Sequence, residues 1–219
     1  MRRVFAALGL AVVAGCASTG DSPGMLHRIV FECLDTSHPG YCARCPSPQA
    51  GICQLEYPCA RTTDVWALTQ EYVAMRDMKM CGCEPTLVHG LALPRFTVTG
   101  VEDPRRPNGI WRFAWDVTRT RIPEDDIALA VNSAEARTQD QLHVHLVRLL
   151  PDARARVEAL EPVRVERLED VWAAATTHAA SRQISSYGVI VLRASDGGWL
   201  VAAVSGSPEA AFTRARCTS

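Results

Sequence analysis

The cysteines are the feature of this sequence that most restricts how the chain can fold. Eight of the nine follow residue 30, and five of these lie between residues 33 and 59. Prolines and glycines interrupt the same stretch, which disfavours long helices and strands there. Such a segment buries little apolar surface, so it is typically held by disulfides or by a bound metal. The compartment in which the chain folds decides between the two.

The N-terminus predicts that the chain is exported. Two arginines precede Phe5–Val13, an apolar stretch interrupted only by Gly9. A bilayer span takes ~20 apolar residues, so this stretch fits the core of a signal peptide instead. The residues Val13-Ala14-Gly15-Cys16 resemble a lipobox, in which cleavage occurs before a cysteine that carries lipid. We therefore predict a signal peptide over residues 1–15 and lipidation of Cys16; an ordinary signal peptide that removes Cys16 is the alternative.

A lipidated N-terminus predicts a location in the cell envelope. The protein would face the periplasm from the inner or the outer membrane, with residues 16–24 as a small, polar tether. The formal net charge is −1, which gives no support for binding to nucleic acid. The sequence does not decide the oligomeric state.

With Cys16 set aside for lipidation, eight cysteines remain. In an exported chain, such an even number predicts disulfides. A zinc site that begins at Cys42-x-x-Cys45 is the alternative, but it would need a second close pair of ligands. The predicted four disulfides involve Cys33, Cys42, Cys45, Cys53, Cys59, Cys81, Cys83 and Cys217.

The chain divides into a cysteine-rich segment, residues 25–68, and a regular part, residues 69–219, which we expect to form one domain together. The first has one short helix near Leu26–Cys33 and is otherwise mostly loop. In the second, the patterns predict strands at Tyr72–Met78, Thr86–Leu93, Asp126–Asn132, Gln141–Val147, Tyr187–Arg193 and Trp199–Val204, and helices at Asn108–Thr118, after Pro151-Asp152, and at Glu169–Ser181. Strands joined by short turns predict an α+β fold, an antiparallel sheet with helices packed on one face.

Four local predictions accompany this assignment. Asn108 is the expected N-cap of its helix, and Trp111 and Trp115, four residues apart, are expected in the core. Asp126–Asn132 alternates large apolar residues with alanine and so predicts a half-buried strand. Asp196-Gly197-Gly198 predicts the turn of a hairpin.

The strand Gln141–Val147 carries the candidate chemistry. Side chains alternate along a strand, so Leu142, Val144 and Leu146 should face the core. Gln141, His143 and His145 then share the opposite face, which we expect to be open. Upstream lies a run of hydrogen-bond donors without a bulky apolar residue, namely Asn132, Arg137, Thr138 and Gln139. Donors beside an imidazole suit a phosphate, which a neutral histidine can attack while its neighbours hold the oxygens.

Two other interpretations of His143-Val-His145 remain open. The histidines could be structural, with their nitrogens satisfied at the edge of the sheet. They could also bind zinc or copper, since His-x-His on a strand is a suitable spacing for metal ligands. The further ligands would come from a carboxylate or from His27, His38, His89 or His178.

The stretch Thr138–Leu146 resembles the histidine-triad (HIT) signature, in which histidines alternate with hydrophobic residues. Further stretches resemble the bacterial CDP-diacylglycerol pyrophosphatases of the HIT-like superfamily over roughly residues 26–217, although residues 34–58 match poorly. These stretches are 72–77, 91–104, 107–115, 130–133, 137–139, 150–154 and 186–193. The most specific of them is Arg137-Thr138-Gln139, followed by the alternating histidines.

The resemblance implies a role for each site residue. His143 takes the position of the nucleophile that forms a nucleotidyl-histidine, and His145 takes the position that supports the phosphate oxygens and the departing group. Leu91, Leu93 and Pro94 would lie beside the nucleoside. The phosphate and nucleotide contacts would come from Asn132, Arg137, Thr138, Gln139 and Gln141. The resemblance also implies hydrolysis of CDP-diacylglycerol to CMP and phosphatidate without metal or other cofactor, and a Cys33–Cys59 disulfide.

Gln141 departs from the family pattern, which has histidine at this position. Glutamine can donate and accept hydrogen bonds, but it does not titrate near neutral pH. We expect His89, five residues before Pro94, to supply part of what Gln141 lacks; a histidine buried in the sheet is the alternative. The predicted function is therefore hydrolysis of a nucleotide pyrophosphate, with the lipid anchor holding the enzyme at its membrane substrate. The alternatives are a HIT-type hydrolase of soluble nucleotides and a non-catalytic lipoprotein that binds a metal or nucleotide at Gln141, His143 and His145.

Overall fold

The computed structural model describes residues 23–33, 65–77 and 87–216. The strands in these ranges are β1 (Val65–Leu68), β2 (Tyr72–Arg76), β3 (His89–Pro94), β4 (Ile127–Val131), β5 (Val144–Arg148), β6 (Val163–Val165), β7 (Gly188–Arg193) and β8 (Trp199–Val204). The helices are α1 (Met25–Arg28), α2 (Ile110–Thr118), α3 (Ala153–Glu158), α4 (Val171–Ser181) and α5 (Pro208–Phe212). A π-helix, Ile29–Cys33, continues α1, and short 3-10 turns precede β4 and α4. All eight strands form one antiparallel sheet in the order β1-β2-β3-β5-β4-β7-β8-β6, which confirms the predicted α+β class.

The larger core lies on the sheet face that α2 and α4 cover. Trp111 and Trp115 of α2 are both buried there, as predicted. Trp111 packs edge-on against Trp172 of α4, with ring centroids 4.7 Å apart. The prediction of Asn108 as N-cap is wrong, because α2 begins at Ile110 and Gly109 takes the cap position. The backbone passes close to β2 at this point: a Cβ on Gly109 would lie 2.9 Å from the Tyr72 hydroxyl oxygen.

The other face of the sheet is also covered, so the prediction of helices on one face only is wrong. There α1 packs on β2 and β3 through Leu26, Val73 and Leu91. Further along the sheet, α3 and α5 pack on β4, β5 and β7 through residues such as Val157 and Phe212. The central strands are apolar on both faces, and each apolar face has to be buried against another element.

Strand β4 shows why this second layer was not apparent from the sequence. Ile127–Val131 was predicted to be half-buried, but all five of its side chains are buried between β5 and β7. The large residues face α2 and α4, whereas Ala128 and Ala130 face the second layer. Alanine is small and only weakly apolar, so an alternating pattern does not distinguish a solvated face from one covered closely by a helix.

The hairpin predicted at Asp196-Gly197-Gly198 is confirmed, since it joins β7 to β8. Gly197 and Gly198 have φ angles of 100° and 70°, which residues with a side chain rarely adopt.

Two strands were not predicted. β1 lies in the stretch expected to be mostly loop, and β6 is only three residues long, too short to show a period.

The predicted signal peptide, the lipidation site and the cysteine side chains lie outside the described residues, so the disulfide-rich segment and the domain boundaries stay predictions. Within the described ranges, no helix has the length and apolarity to cross a bilayer.

Candidate active site

The histidine-bearing strand β5 lies in the middle of the sheet, between β3 and β4. His145 is paired with Leu91 on one side and with Ala130 on the other. Directly paired residues share a sheet face, so the His145 ring lies on the face that α1, α3 and α5 cover. Leu142, Val144 and Leu146 lie in the opposite core, as the alternation predicted.

The expectation that the histidine face is open is wrong. Gln141 is 0 % exposed, His143 8 % and His145 3 %. Helices α1 and α5 and the C-terminal residues Thr213–Arg216 cover this face. Alternation along a strand indicates which side chains share a face, but it carries no information about what packs over them.

His143 is held in one tautomer by the backbone. Its Nδ1 lies 2.7 Å from the carbonyl oxygen of Gln141, two residues earlier. A carbonyl oxygen only accepts hydrogen bonds, so Nδ1 carries the proton. Nε2 is therefore the nitrogen with the lone pair in the neutral ring. The ring packs edge-on against His145, with centroids 4.8 Å apart.

His145 belongs to a chain of hydrogen bonds that ends on the C-terminal segment. His89 Nδ1 donates to the carbonyl oxygen of Ala215 over 2.8 Å. His89 Nε2 lies 3.0 Å from His145 Nδ1, and the Asn132 amide nitrogen lies 3.3 Å from His145 Nε2. With both rings neutral, His145 Nδ1 donates to His89, and Asn132 donates to His145 Nε2. Both ring nitrogens of His89 are thus engaged, and one of them bonds the candidate site directly.

Glu209 of α5 is a site residue that sequence reasoning missed. One carboxylate oxygen accepts from the Asn132 amide at 2.8 Å and lies 3.2 Å from His145 Nε2. Ser207, the N-cap of α5, donates to the Asn132 Oδ1 atom at 2.9 Å and so fixes where this helix docks. The sequence Ser207-Pro208-Glu209 is a recognisable helix start, but nothing in it indicates that it lies against a strand more than 60 residues earlier.

A second carboxylate completes a group of possible metal ligands. Asp77 Oδ2 lies 3.3 Å from His89 Nε2, and the ligand atoms of Asp77, His89 and His145 all lie within 4.8 Å of one another. This group contains His145, and it contains His89 and a carboxylate, both of which the sequence offered as further ligands, but it does not include His143.

The Gln141 side chain is directed into the protein. Its amide nitrogen donates to the carbonyl oxygens of Pro94 and Phe96, each at 3.0 Å. These bonds tie the segment before β5 to the end of β3. They place Gln141 and Pro94 in contact with each other.

The predicted phosphate-contacting residues of the segment before β5, together with Asn132, each lie in a different environment. Thr138 lines each of the two cavities that flank the rings of His143 and His145. Gln139 Oε1 accepts from the backbone N–H of Leu26 at 3.0 Å and so holds α1 in place. Arg137 Nη1 lies 2.7 Å from the carboxylate of Glu102 in an ion pair, and Arg137 lines a small pocket together with Asn132 and His143. Asn132 alone bonds His145 directly.

The loop that carries Glu102 has its own anchor. The Asp103 carboxylate accepts from the backbone N–H groups of Thr99 and Arg105. The hydrogen bond from the Arg105 guanidinium holds the pKa of the Asp103 carboxyl well below its usual range. The carboxylate form that organises this loop therefore persists into mildly acidic solution.

Two cavities flank the histidines and share Thr138, His143 and His145 as walls. The first, about 220 Å³, is mainly apolar and is lined by Met25, Leu26, Met75 and Leu91, with Asp77 among its polar residues. The second, about 650 Å³, lies toward α5 and the C-terminal segment and is lined largely by polar and charged residues. A substrate bound in both cavities would have its central atoms beside the two histidine rings.

The model of the CDP-diacylglycerol pyrophosphatase family matches residues 43–180. The match includes β3, which carries His89, and β5, which carries His145; His143 lies directly before β5, because the strand predicted from Gln141 begins only at Val144. It covers well over half of the sequence and confirms the resemblance to the CDP-diacylglycerol pyrophosphatases over these residues. The chain therefore belongs to the CDP-diacylglycerol pyrophosphatase family, enzymes that hydrolyse a pyrophosphate bond.

Proposed function

We propose that this protein hydrolyses CDP-diacylglycerol to CMP and phosphatidate through a cytidylyl group carried on His143. The observation that supports this most directly is the 2.7 Å hydrogen bond from His143 Nδ1 to the Gln141 carbonyl oxygen. It assigns the proton to Nδ1 and the lone pair to Nε2, so the ring is a nucleophile without first losing a proton.

The reaction would proceed in two displacements. His143 Nε2 attacks the phosphorus next to cytidine, and the bond to the bridging oxygen breaks with its electron pair on the departing phosphatidate. Water then attacks the cytidylyl phosphorus and releases a proton to the solvent, and the N–P electron pair returns to Nε2. His145, with its ring 4.8 Å from that of His143, would support the phosphate oxygens through Nε2, which would exchange its hydrogen bond from Asn132 for one to the substrate. Glu209 Oε2, 3.2 Å from His145 Nε2, would accept a hydrogen bond from that ring when it is protonated.

The cytidine would occupy the apolar cavity. Its volume of about 220 Å³ is of the order of one nucleoside, and Leu26 and Leu91 offer apolar walls for a pyrimidine ring. Asp77 lines the same cavity and offers a carboxylate to the ribose hydroxyls. The lipid half of the substrate would then extend toward the second cavity.

Purified protein should release CMP from CDP-diacylglycerol in mixed micelles, faster than from CDP-alcohols or dinucleotides. Addition of EDTA should leave the rate unchanged, because the attacking atom is a ring nitrogen. The measurements are CMP release by chromatography and metal content of the same preparation. A stoichiometric metal whose removal abolishes CMP release would contradict this mechanism and favour metal binding by Asp77, His89 and His145. Preference for dinucleotides would favour the soluble-nucleotide hydrolase.

We also propose that Cys16 carries a lipid anchor in the cell envelope. Cys16→Ser should leave the precursor uncleaved or release the protein from the membrane fraction, because an anchor of several acyl chains is lost. Mass spectrometry of the mature N-terminal peptide should show a diacyl or triacyl cysteine in the wild type. Ala17→Ser is a matched control that should remain lipidated. A cleaved, soluble C16S protein that fractionates like the wild type would exclude the anchor.

A further inference from the structure

The polar cavity beside the histidines has a basic wall that the steps above do not use. Arg214, which is half-buried, and Arg216, which is exposed, both line this cavity of about 650 Å³ together with His143 and His145. Both arginines belong to the short C-terminal segment Thr213–Arg216.

This segment is fixed in place by backbone hydrogen bonds on both sides. The Arg214 N–H donates to the carbonyl oxygen of Arg148 at the end of β5, over 2.8 Å. The next carbonyl along the chain, that of Ala215, accepts from His89 Nδ1. The two guanidinium groups therefore project from a backbone that is anchored to β5 and to the histidine chain.

The charges in the cavity suit a phosphate. Glu209 is the carboxylate that faces the same space, and it already accepts a hydrogen bond from Asn132. Among the described residues that line the cavity, two arginines thus accompany one carboxylate. Guanidinium groups bind phosphate oxygens strongly because they donate parallel, charge-assisted hydrogen bonds.

We propose that the cavity is the binding site for the second phosphate of the substrate, the one that leaves with the lipid, and that Arg214 and Arg216 bind it. The inference rests on the proposed function and deepens it. When the bond between the α-phosphorus and the bridging oxygen breaks, the electron pair moves onto the departing phosphate monoester. That product is a stable anion and needs no proton, so a fixed positive charge stabilises its formation.

The test compares two kinds of substrate that differ in the leaving group. CDP-diacylglycerol and CDP-glycerol each release a phosphate monoester as the leaving group. The 4-nitrophenyl ester of CMP instead releases nitrophenolate and has no second phosphate. Arg214→Gln and Arg216→Gln should each lower kcat/KM for both CDP substrates by ~10–10³-fold, since loss of one charge-stabilising donor typically costs up to that factor. The nitrophenyl ester should change by less than about threefold. Lysine at either position should restore part of the loss, because it keeps the charge but not the two parallel bonds.

Arg167→Gln is the matched control, because Arg167 is an exposed arginine that pairs with Glu169 and Asp170 away from the cavity. It should leave kcat/KM unchanged for both kinds of substrate. If the cavity variants lost kcat/KM equally on the CDP substrates and on the nitrophenyl ester, or lost none on either kind, the proposal would be overturned. Failure of the wild-type protein to cleave either substrate would instead refute the proposed function, so the two failures are distinguishable.

Discussion

His143→Ala should remove nearly all turnover of CDP-diacylglycerol while leaving the fold intact. In the proposed mechanism the imidazole supplies the nitrogen that forms the bond to phosphorus, and a water molecule cannot take its place with the same geometry. We expect a loss of at least ~10⁴-fold in kcat, in line with the removal of a covalent nucleophile. Rapid quench of the wild type with substrate labelled in the cytidylyl group should trap the label on His143.

His27→Ala is the matched control for this variant. The His27 ring packs against Phe31 and bonds Thr97 at the surface of α1, so its loss should leave kcat unchanged. The melting temperature and substrate binding of H143A should stay near those of the wild type. An H143A protein that keeps most of its activity would refute the cytidylyl-histidine.

In the proposed mechanism His145 donates to the transition-state oxygens, so His145→Ala should lower kcat by ~10²–10³-fold, the usual cost of losing one such donor. The loss should be smaller than that of His143→Ala, because the bond-forming nitrogen remains. Removing the ring also leaves His89 Nε2 and the Asn132 amide without one of their partners. Steady-state kinetics on CDP-diacylglycerol, together with trapping of the labelled intermediate, measure this effect.

His178→Ala is the control that distinguishes a catalytic effect of losing His145 from the loss of stability caused by removing any buried histidine. His178 is as buried as His145, and its two nitrogens bond Leu160 and Ala203 on the far side of the sheet. This variant should lower the melting temperature but keep the kcat of the remaining folded protein. If His145→Ala lowered stability in the same way and left kcat unchanged, His145 would be a structural histidine.

The sequence predicted the parts of the fold that depend on local periodicity. Trp111 and Trp115 fall four residues apart and are buried on one helix face, and the turn at Gly197-Gly198 forms the expected hairpin. What it did not predict depends on packing between distant segments. The second helical layer rests on small residues such as Ala128 and Ala130, which look the same in sequence whether a helix or water covers them.

The candidate site also contains residues that local sequence patterns predicted and residues that only tertiary packing brings in. His143 and His145 stand out because two histidines alternate with hydrophobic residues, and family resemblance drew attention to His89. Glu209 could not have been identified, because its approach to His145 depends on how α5 docks through Ser207 and Asn132. The orientation of Gln141 toward Pro94 and Phe96 is likewise a tertiary contact without a local signal.

The attachment of α1 to the active site would set how far the enzyme can reach from the proposed lipid anchor. The Pro23 carbonyl accepts from the Asp140 N–H at 2.7 Å, and the Leu26 N–H donates to Gln139, so residue 23 is fixed beside the histidine strand. With a lipid on Cys16, seven residues would separate the bilayer surface from this point. Even fully extended, they would span only ~25 Å. Such an enzyme would meet its substrate by lateral diffusion in its own leaflet, and its rate would follow the mole fraction of CDP-diacylglycerol in that membrane instead of the bulk concentration.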